Sequence, residues 1–254
     1  MFDNLSEFVS TILVGLGPTI EATLGGIAIA AVLSFVFGLA MLSGSRAVRV
    51  VARIYIEIWR GTSEVVQLFW IYFVLPLLVG YQVVPLAAGI IVLGLNFGAY
   101  GAEIVRGAIQ AVPTAQYEGA IALSLTPAQR MRRVILPQAL VEMVPPFNNL
   151  FIQLLKGSAL LTIIAVPEMT NQARNVLMDL YTSQAGLIWT VLLVFYLLLS
   201  ILITFGMKFV ERRAARIVGR GPSQAAKDRG LLIAAQAGTG LNLPGGTRSG
   251  GPVP

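Results

Sequence analysis

Charged positions in this chain fall in short stretches, separated by long runs that contain none. From Ala22 to Ser45 there is no charge, and Leu24–Leu42 is apolar enough to cross a bilayer, which takes about 20 residues. The next uncharged run, Val65–Ala102, has 38 residues, the length of two crossings. Pro76, Gly80-Tyr81-Gln82 and Pro85 mark the turn between them, so the pattern predicts spans over 63–78 and 86–104. A fourth span is predicted over 137–165, from Pro137 through Val144-Pro145-Pro146 with Lys156 inside it. Leu180–Met207 is free of charge and contains the fifth, 187–205. Gly25, Gly26 and Gly38 are suited to close helix packing in a membrane. The expectation is an all-α integral membrane protein with five transmembrane helices.

The charges that remain give a direction. Three segments, 46–60, 106–133 and 208–229, carry nearly all the lysines and arginines, and they follow spans one, three and five. The other side carries Asp3, Glu7, Glu168 and Asp179, with Arg174 as its basic residue. The positive-inside rule then predicts the N-terminus outside and the C-terminus cytoplasmic. No basic residue precedes Arg46, so the first apolar run lacks the front of a cleavable signal and is expected to stay as a helix. The transmembrane domain is read as 1–220. Residues 221–254, rich in Gly, Pro, Ser and Ala, are read as a flexible cytoplasmic tail.

Composition agrees with a lipid-facing surface. Of 254 residues 56% are hydrophobic and 12% charged, half of what a soluble domain uses. With no cysteine and no histidine, disulfides, zinc or haem ligation through those residues, and Cys- or His-based catalysis are excluded. The net charge of +6 does not indicate nucleic acid, because the basic residues flank apolar runs instead of covering a hydrophilic face.

The segment between spans three and four, 113–136, reads as two short helices joined by a turn. Thr114 is placed to cap the first, after Pro113. Thr126-Pro127 starts the second with a cap and a proline at the first helical position. Pro137 suits the first turn of span four. The knob carries small residues, Gly119, Ala120 and Ala122, and arginines at 130, 132 and 133. On chemistry alone it is either a topology-anchoring loop or a docking knob.

Resemblance to a known family decides. Glu118-Gly119-Ala120, three residues, Ser124, nine residues and Val134-Ile135-Leu136-Pro137 resemble the cytoplasmic loop of permease subunits of bacterial ABC importers. In that family the motif is Glu-Ala-Ala, three residues, Gly, nine residues, Ile-x-Leu-Pro. The resemblance covers about 17–213. Arg60-Gly61-Thr62, Tyr100-Gly101-Ala102-Glu103-Ile104-Val105-Arg106-Gly107 and Leu154-Leu155-Lys156-Gly157-Ser158 look like the polar amino-acid branch, with its histidine, glutamine, glutamate, arginine, opine and ectoine permeases. The resemblance implies a type I importer permease fold whose coupling loop (Glu118, Gly119, Ala120, Leu123, Ser124, Arg130, Leu136, Pro137) seats on an ATPase subunit. The chain departs from the family at Ser63-Glu64, usually Pro-Leu, and at Gly157, commonly Asp. At Ser124 it has serine where the family has a glycine that takes positive φ readily.

Two polar stripes are candidates for the solute pathway. Asn96, Tyr100 and Glu103 recur at helical spacing on span three, and Asn149, Gln153 and Lys156 on span four. Ionisable groups at membrane depth cost about 3 kcal/mol each and mark function by default. A zwitterion needs both signs: Lys156 is assigned the carboxylate, and Glu103 with Tyr100 and Asn96 the cationic end. Pro145-Pro146 and Gly157 are expected to interrupt span four around its stripe and free backbone groups for a ligand. In the competing reading Glu103 is an interfacial residue paired with Arg106, and Lys156 snorkels or pairs with Glu142 or Glu168. Arg60 and Glu64 are expected to pair or to form an inner gate.

No Gly-x-x-x-x-Gly-Lys-Ser/Thr is present, so no P-loop ATPase is expected here. ATP and Mg are expected on two copies of a partner ATPase, with no cofactor and no metal in this chain. Further partners implied are a second permease, identical or homologous, an extracytoplasmic solute-binding protein and membrane lipid. The expected mechanism is alternating access, with no catalytic residue here. Three rival functions compete with the importer: a secondary transporter, a channel subunit and an intramembrane enzyme. The first of these would show internal repeats, which are not evident.

Overall fold

In the computed structural model the described residues, 4–217, are helical with short connections. Two helices open the chain: α1 (Leu5–Val14) and α2 (Leu16–Ala40), joined at Gly15. Then come α3 (Arg46–Gly61) and α4 (Glu64–Val79), bent from one another by 103°. Next are α5 (Pro85–Gln110), the short α6 (Thr114–Ala122) and α7 (Pro127–Ile164). Three short helical turns over 169–180 form α8, and α9 (Ala185–Ile217) closes the described part. Four of these stretches are long and apolar enough to cross a membrane, and the bent pair α3–α4 supplies a fifth if it counts as one span. The tail expected over 221–254, and Asp3, lie outside the described residues.

The bundle is organised around α5, the most buried of the long helices. Helix α2 runs parallel to it: Gly25 faces Ile90, Ile29 faces Gly94, Leu33 faces Gly98, and Gly38 faces Ala102 and Val105. Helix α7 runs antiparallel, with Phe147 at Gly101, Leu154 at Leu93 and Gly26, and Leu161 at Gly89. The apolar core lies between these three, with Leu93, Phe97, Val105, Met143 and Leu154 almost fully buried. A second cluster joins α1, α8 and the start of α9 through Phe8, Ile12, Met169 and Ile188. At the join Gly15 lies so close to the backbone of Glu168 and Met169 that a Cβ there would come within 2.5 Å of it.

The two ends of the bundle differ in charge. Arg106, Arg130, Arg132 and Arg133 sit with α6 at one end, while Glu7 and Glu168 lie with α1 and α8 at the other. Glu7 accepts a hydrogen bond from Tyr181 (2.9 Å).

Several boundaries differ from the expectation. Span one is longer, since α2 begins at Leu16 and takes in Glu21. Span four begins at Pro127, so the second short helix of the knob and the span are one piece. Proline at 137 is accommodated because the backbone opens into a π-helical turn over Met131–Ile135 just before it. No interruption occurs at Pro145-Pro146, where Leu136–Gly157 stays α-helical; at Gly157 the helix only tightens into a 3₁₀ stretch, Ser158–Ile164. The break falls instead just ahead of the second predicted span, between α3 and α4. Thr62 and Ser63 are extended (φ −117°, ψ 158° and φ −73°, ψ 132°), and the break lies beside Asn96, midway along α5.

Candidate functional site: the knob and the broken helix

Tyr117 fixes α6 to the bundle by donating from its hydroxyl to the Ile109 carbonyl (3.1 Å), and Ala120 is buried beneath. Position 113 is the N-cap and makes no side-chain cap, so Thr114 is already helical and does not act as the cap expected of it. Thr126 behaves as expected. Its hydroxyl accepts from the Gln129 amide and the Gln129 side chain accepts from the Thr126 amide, a complete capping box.

Between them the chain reverses in a Schellman turn. The Leu125 amide donates to Ala120 (3.1 Å) and the Ser124 amide to Ile121 (2.8 Å), which places Ser124 in the left-handed region at φ 55°. This is the position where the family motif has glycine. What the knob turns outward is Glu118, Gly119, Ile121 and Leu123. Ile121 is 57% and Leu123 74% exposed, and nothing stands within 4 Å of where a Gly119 Cβ would be. Large apolar side chains so exposed beside an open glycine make a surface shaped for contact. Ile121 does not stand out in the sequence, although its place directly after Glu118-Gly119-Ala120 of the motif is the available signal. Arg130 and Leu136 are half-buried on α7, and Pro137 lies in its body.

The second region surrounds the break between α3 and α4. A break leaves carbonyls without their helical donors, and two amide side chains supply replacements. Gln67 donates to the Trp59 carbonyl (2.9 Å) and the Thr62 hydroxyl (2.6 Å). Asn96 donates to the same Trp59 carbonyl (2.9 Å) and to the Gln67 side-chain oxygen (3.0 Å). Asn96 is 1% exposed, so it holds the corner in place instead of lining an open path. Tyr55, stacked on Phe37, donates to the Leu95 carbonyl (2.7 Å) and pins α3 against α5.

Of the ion pairs expected in the competing readings, Glu103 with Arg106 forms and Arg60 with Glu64 does not. Glu103 receives two hydrogen bonds from Arg106 (2.8 and 2.6 Å), and Arg60 lies 3.9 Å from its other oxygen. Arg60 also stacks 5.0 Å from the Tyr100 ring centre. Glu103 is therefore occupied by two arginines, and Arg60 pairs with it instead of with Glu64. Because the break turns α4 away from the axis of α3, the i,i+4 relation expected between Arg60 and Glu64 does not exist.

Glu64 is half-buried against Gly157: a Cβ on that glycine would lie 3.5 Å from its Oε2. The two departures from the family pattern, at 64 and 157, thus meet in space. The stripe on α7 is formed as expected, with Asn149, Gln153 and Lys156 all exposed. Lys156 makes no ion pair with any described residue. Glu168 is not its partner. It is fully buried and caps α8, accepting from the Thr170 and Asn171 amides (2.7 Å each) and from Tyr196 (3.3 Å). Among the described residues no group of three or more acids has the arrangement of a metal site.

Comparison with known proteins agrees with this architecture. The profile of a family described as "Binding-protein-dependent transport system inner membrane component" matches residues 30–216. The chain is 42% identical over 206 residues to the "Probable amino-acid ABC transporter permease protein y4tF" of Sinorhizobium fredii, covering 78% of this chain and 84% of that one. It is 35% identical to the glutamine transport system permease protein GlnP of Escherichia coli (74% and 85% covered). The arginine transport system permease protein ArtQ of Bacillus subtilis is 34% identical (80% and 91% covered). Among solved structures, a chain of an amino acid ABC transporter crystallised with histidines superposes with a TM-score of 0.75 at 31% identity, covering 84% of this chain and 98% of that one. This chain belongs to the family of inner membrane components of binding-protein-dependent transport systems.

Proposed function

We propose that this chain is a pore-forming subunit of an ATP-driven importer for a polar amino acid or a related zwitterion, with the knob end in the cytoplasm. The observation that carries the reading is the knob itself. Its short helix is anchored from below by Tyr117 and Ala120 and presents Ile121 and Leu123 outward, at the arginine-bearing end of the bundle. Such a surface fits the groove of an ATPase subunit, where ATP and Mg would be held. The positive-inside rule puts that end in the cytoplasm and the N-terminus outside.

The break between α3 and α4 supports the transport role. Tyr100, Gln153 and Lys156 are exposed on one subunit at positions level with or near the break. Exposed polar and charged groups at membrane depth are unfavourable against lipid and belong against protein or water. A second permease, identical or homologous, covers this face and encloses a pathway with it. Relatives named for glutamine and arginine transport favour polar amino acids as the cargo. A solute-binding protein delivers the cargo outside, and two ATPase subunits, closing on ATP, drive the knobs and alternate the access of the pore.

The test is reconstitution. Uptake of labelled glutamine or arginine into proteoliposomes should need the ATPase subunit and ATP. Leu123→Asp with Ile121→Asp should abolish ATPase co-purification while the permease keeps its melting temperature. Flux by the permease alone, driven by an ion gradient, would instead establish a secondary transporter.

A further inference from the structure

Glu64 opens α4 directly after the break and is half-buried. It makes no hydrogen bond or ion pair with any described residue. Its carboxylate lies in a slot beside Gly157: a Cβ at that position would fall 3.5 Å from Oε2, in ordinary van der Waals contact. Arg60, the cation nearest to it in sequence, is turned away to Tyr100 and Glu103. Lys156 is the residue before that glycine, exposed and also without an ion pair, and the two do not pair with each other.

An acid that lies against Gly157 and a base on the residue before that glycine, each left without a partner, are costly as they stand at membrane depth. A ligand that carries both charges relieves both costs. We infer that Glu64 receives the ammonium group of the transported solute while Lys156 meets its carboxylate, so that Glu64 sets the requirement for a cationic nitrogen. This rests on the importer reading above and assigns to Glu64 the part that the stripe pattern gave to Glu103. Glu103 has its oxygens on two arginines, and a third cation would have to displace one of them.

A bland role also exists for an acid at this place, because a carboxylate in the first turn interacts favourably with the helix dipole. That role needs nothing at position 157. The two roles therefore separate in a rescue experiment on the complete complex, with its ATPase and binding protein, in proteoliposomes, using L-glutamine and L-arginine as probes. Glu64→Leu and Glu64→Gln should each raise the half-saturating concentration of both probes about tenfold or more, the size expected for losing a hydrogen bond to a charged group. The double variant Glu64→Leu/Gly157→Asp returns a carboxylate to the same slot from α7. The new Cβ would meet the end of the Leu93 side chain at 3.2 Å, a contact that a flexible side chain can relieve. Its half-saturation should return to within about threefold of the natural complex.

Half-saturation unchanged in Glu64→Leu overturns the inference, and so does a double variant as weak as the single one. If the natural complex moves neither probe, the amino-acid reading itself fails, and the assignment of Glu64 falls with it.

Discussion

Ser124 tests whether the knob is built as the backbone indicates. It holds φ at 55°, a conformation that costs an L-residue with a Cβ about 1–2 kcal/mol and glycine almost nothing. Ser124→Gly removes that cost, but glycine also gains freedom in the opened turn, which returns about 0.4–1 kcal/mol. The net gain is about 0.5–1 kcal/mol, a two- to fivefold shift in the closing of the turn. The readout is hydrogen exchange at the amides of residues 124 and 125, whose bonds to Ile121 (2.8 Å) and Ala120 (3.1 Å) define the turn. In the assembled complex both should exchange about two to five times more slowly in Ser124→Gly. Ser124→Val, with a branched Cβ in the same region, should make both exchange faster than in the natural chain. Unchanged or faster exchange in the glycine variant would refute the reasoning, because it would mean that residue 124 does not hold a left-handed conformation in solution.

Further outcomes follow from single contacts. Asn96→Ala removes two hydrogen bonds at the break and leaves the Gln67 oxygen short of its donor, so the detergent-solubilised protein should lose about 2 kcal/mol, seen as a lower melting temperature. Gly15→Ala drives a Cβ into the backbone of Glu168 and Met169, and should cost about 1–3 kcal/mol in the same assay. Burial pushes the Glu168 carboxyl up from 4.5 to about 7, against the pull of its hydrogen bonds to Thr170, Asn171 and Tyr196. Between those values the folded protein holds a proton that the unfolded chain has released, so stability should fall as pH rises from 4.5 to about 7 and level off above it. The total is about 3 kcal/mol, and a Glu168→Gln variant should melt with a flatter pH profile over that interval.

Much of the helical layout is legible because charge and apolar length speak directly to a bilayer. The turn at Gly80 is where the glycine places it, at φ 72°. Resemblance to the family motif singles out Ser124, and its backbone takes the left-handed form that the motif's glycine adopts readily. The break between α3 and α4 is not legible. Gly61-Thr62-Ser63 contains no proline, and the side chains that hold the break open, Gln67 and Asn96, are 29 residues apart. Pro145-Pro146 points to a break in the wrong helix, since proline inside a packed membrane helix is tolerated where neighbours re-satisfy the backbone. Ala165 illustrates the same limit. It closes the 3₁₀ stretch at φ 58° in a Schellman turn like that of Ser124, with the Val166 amide donating to Leu161 (3.2 Å), yet alanine does not advertise such a turn. The arginine contacts of Glu103 are visible only in part. Arg106 lies three positions on along the same helix, within reach by spacing, whereas Arg60 arrives from another helix.

The parallel seam between α2 and α5 has a mechanical consequence. Glycines alternate across it, each receiving a side chain from the opposite helix, with Ile90 over Gly25, Ile29 over Gly94, Leu33 over Gly98 and Val105 over Gly38. Sliding one helix along the other would drive these side chains into backbone, so the seam behaves as a solid beam with no internal travel. A push delivered at the knob end then reaches the far end almost undiminished. In the importer proposed above, the strain of each cycle would then fall on an interruption of the chain such as Thr62-Ser63, beside Glu64.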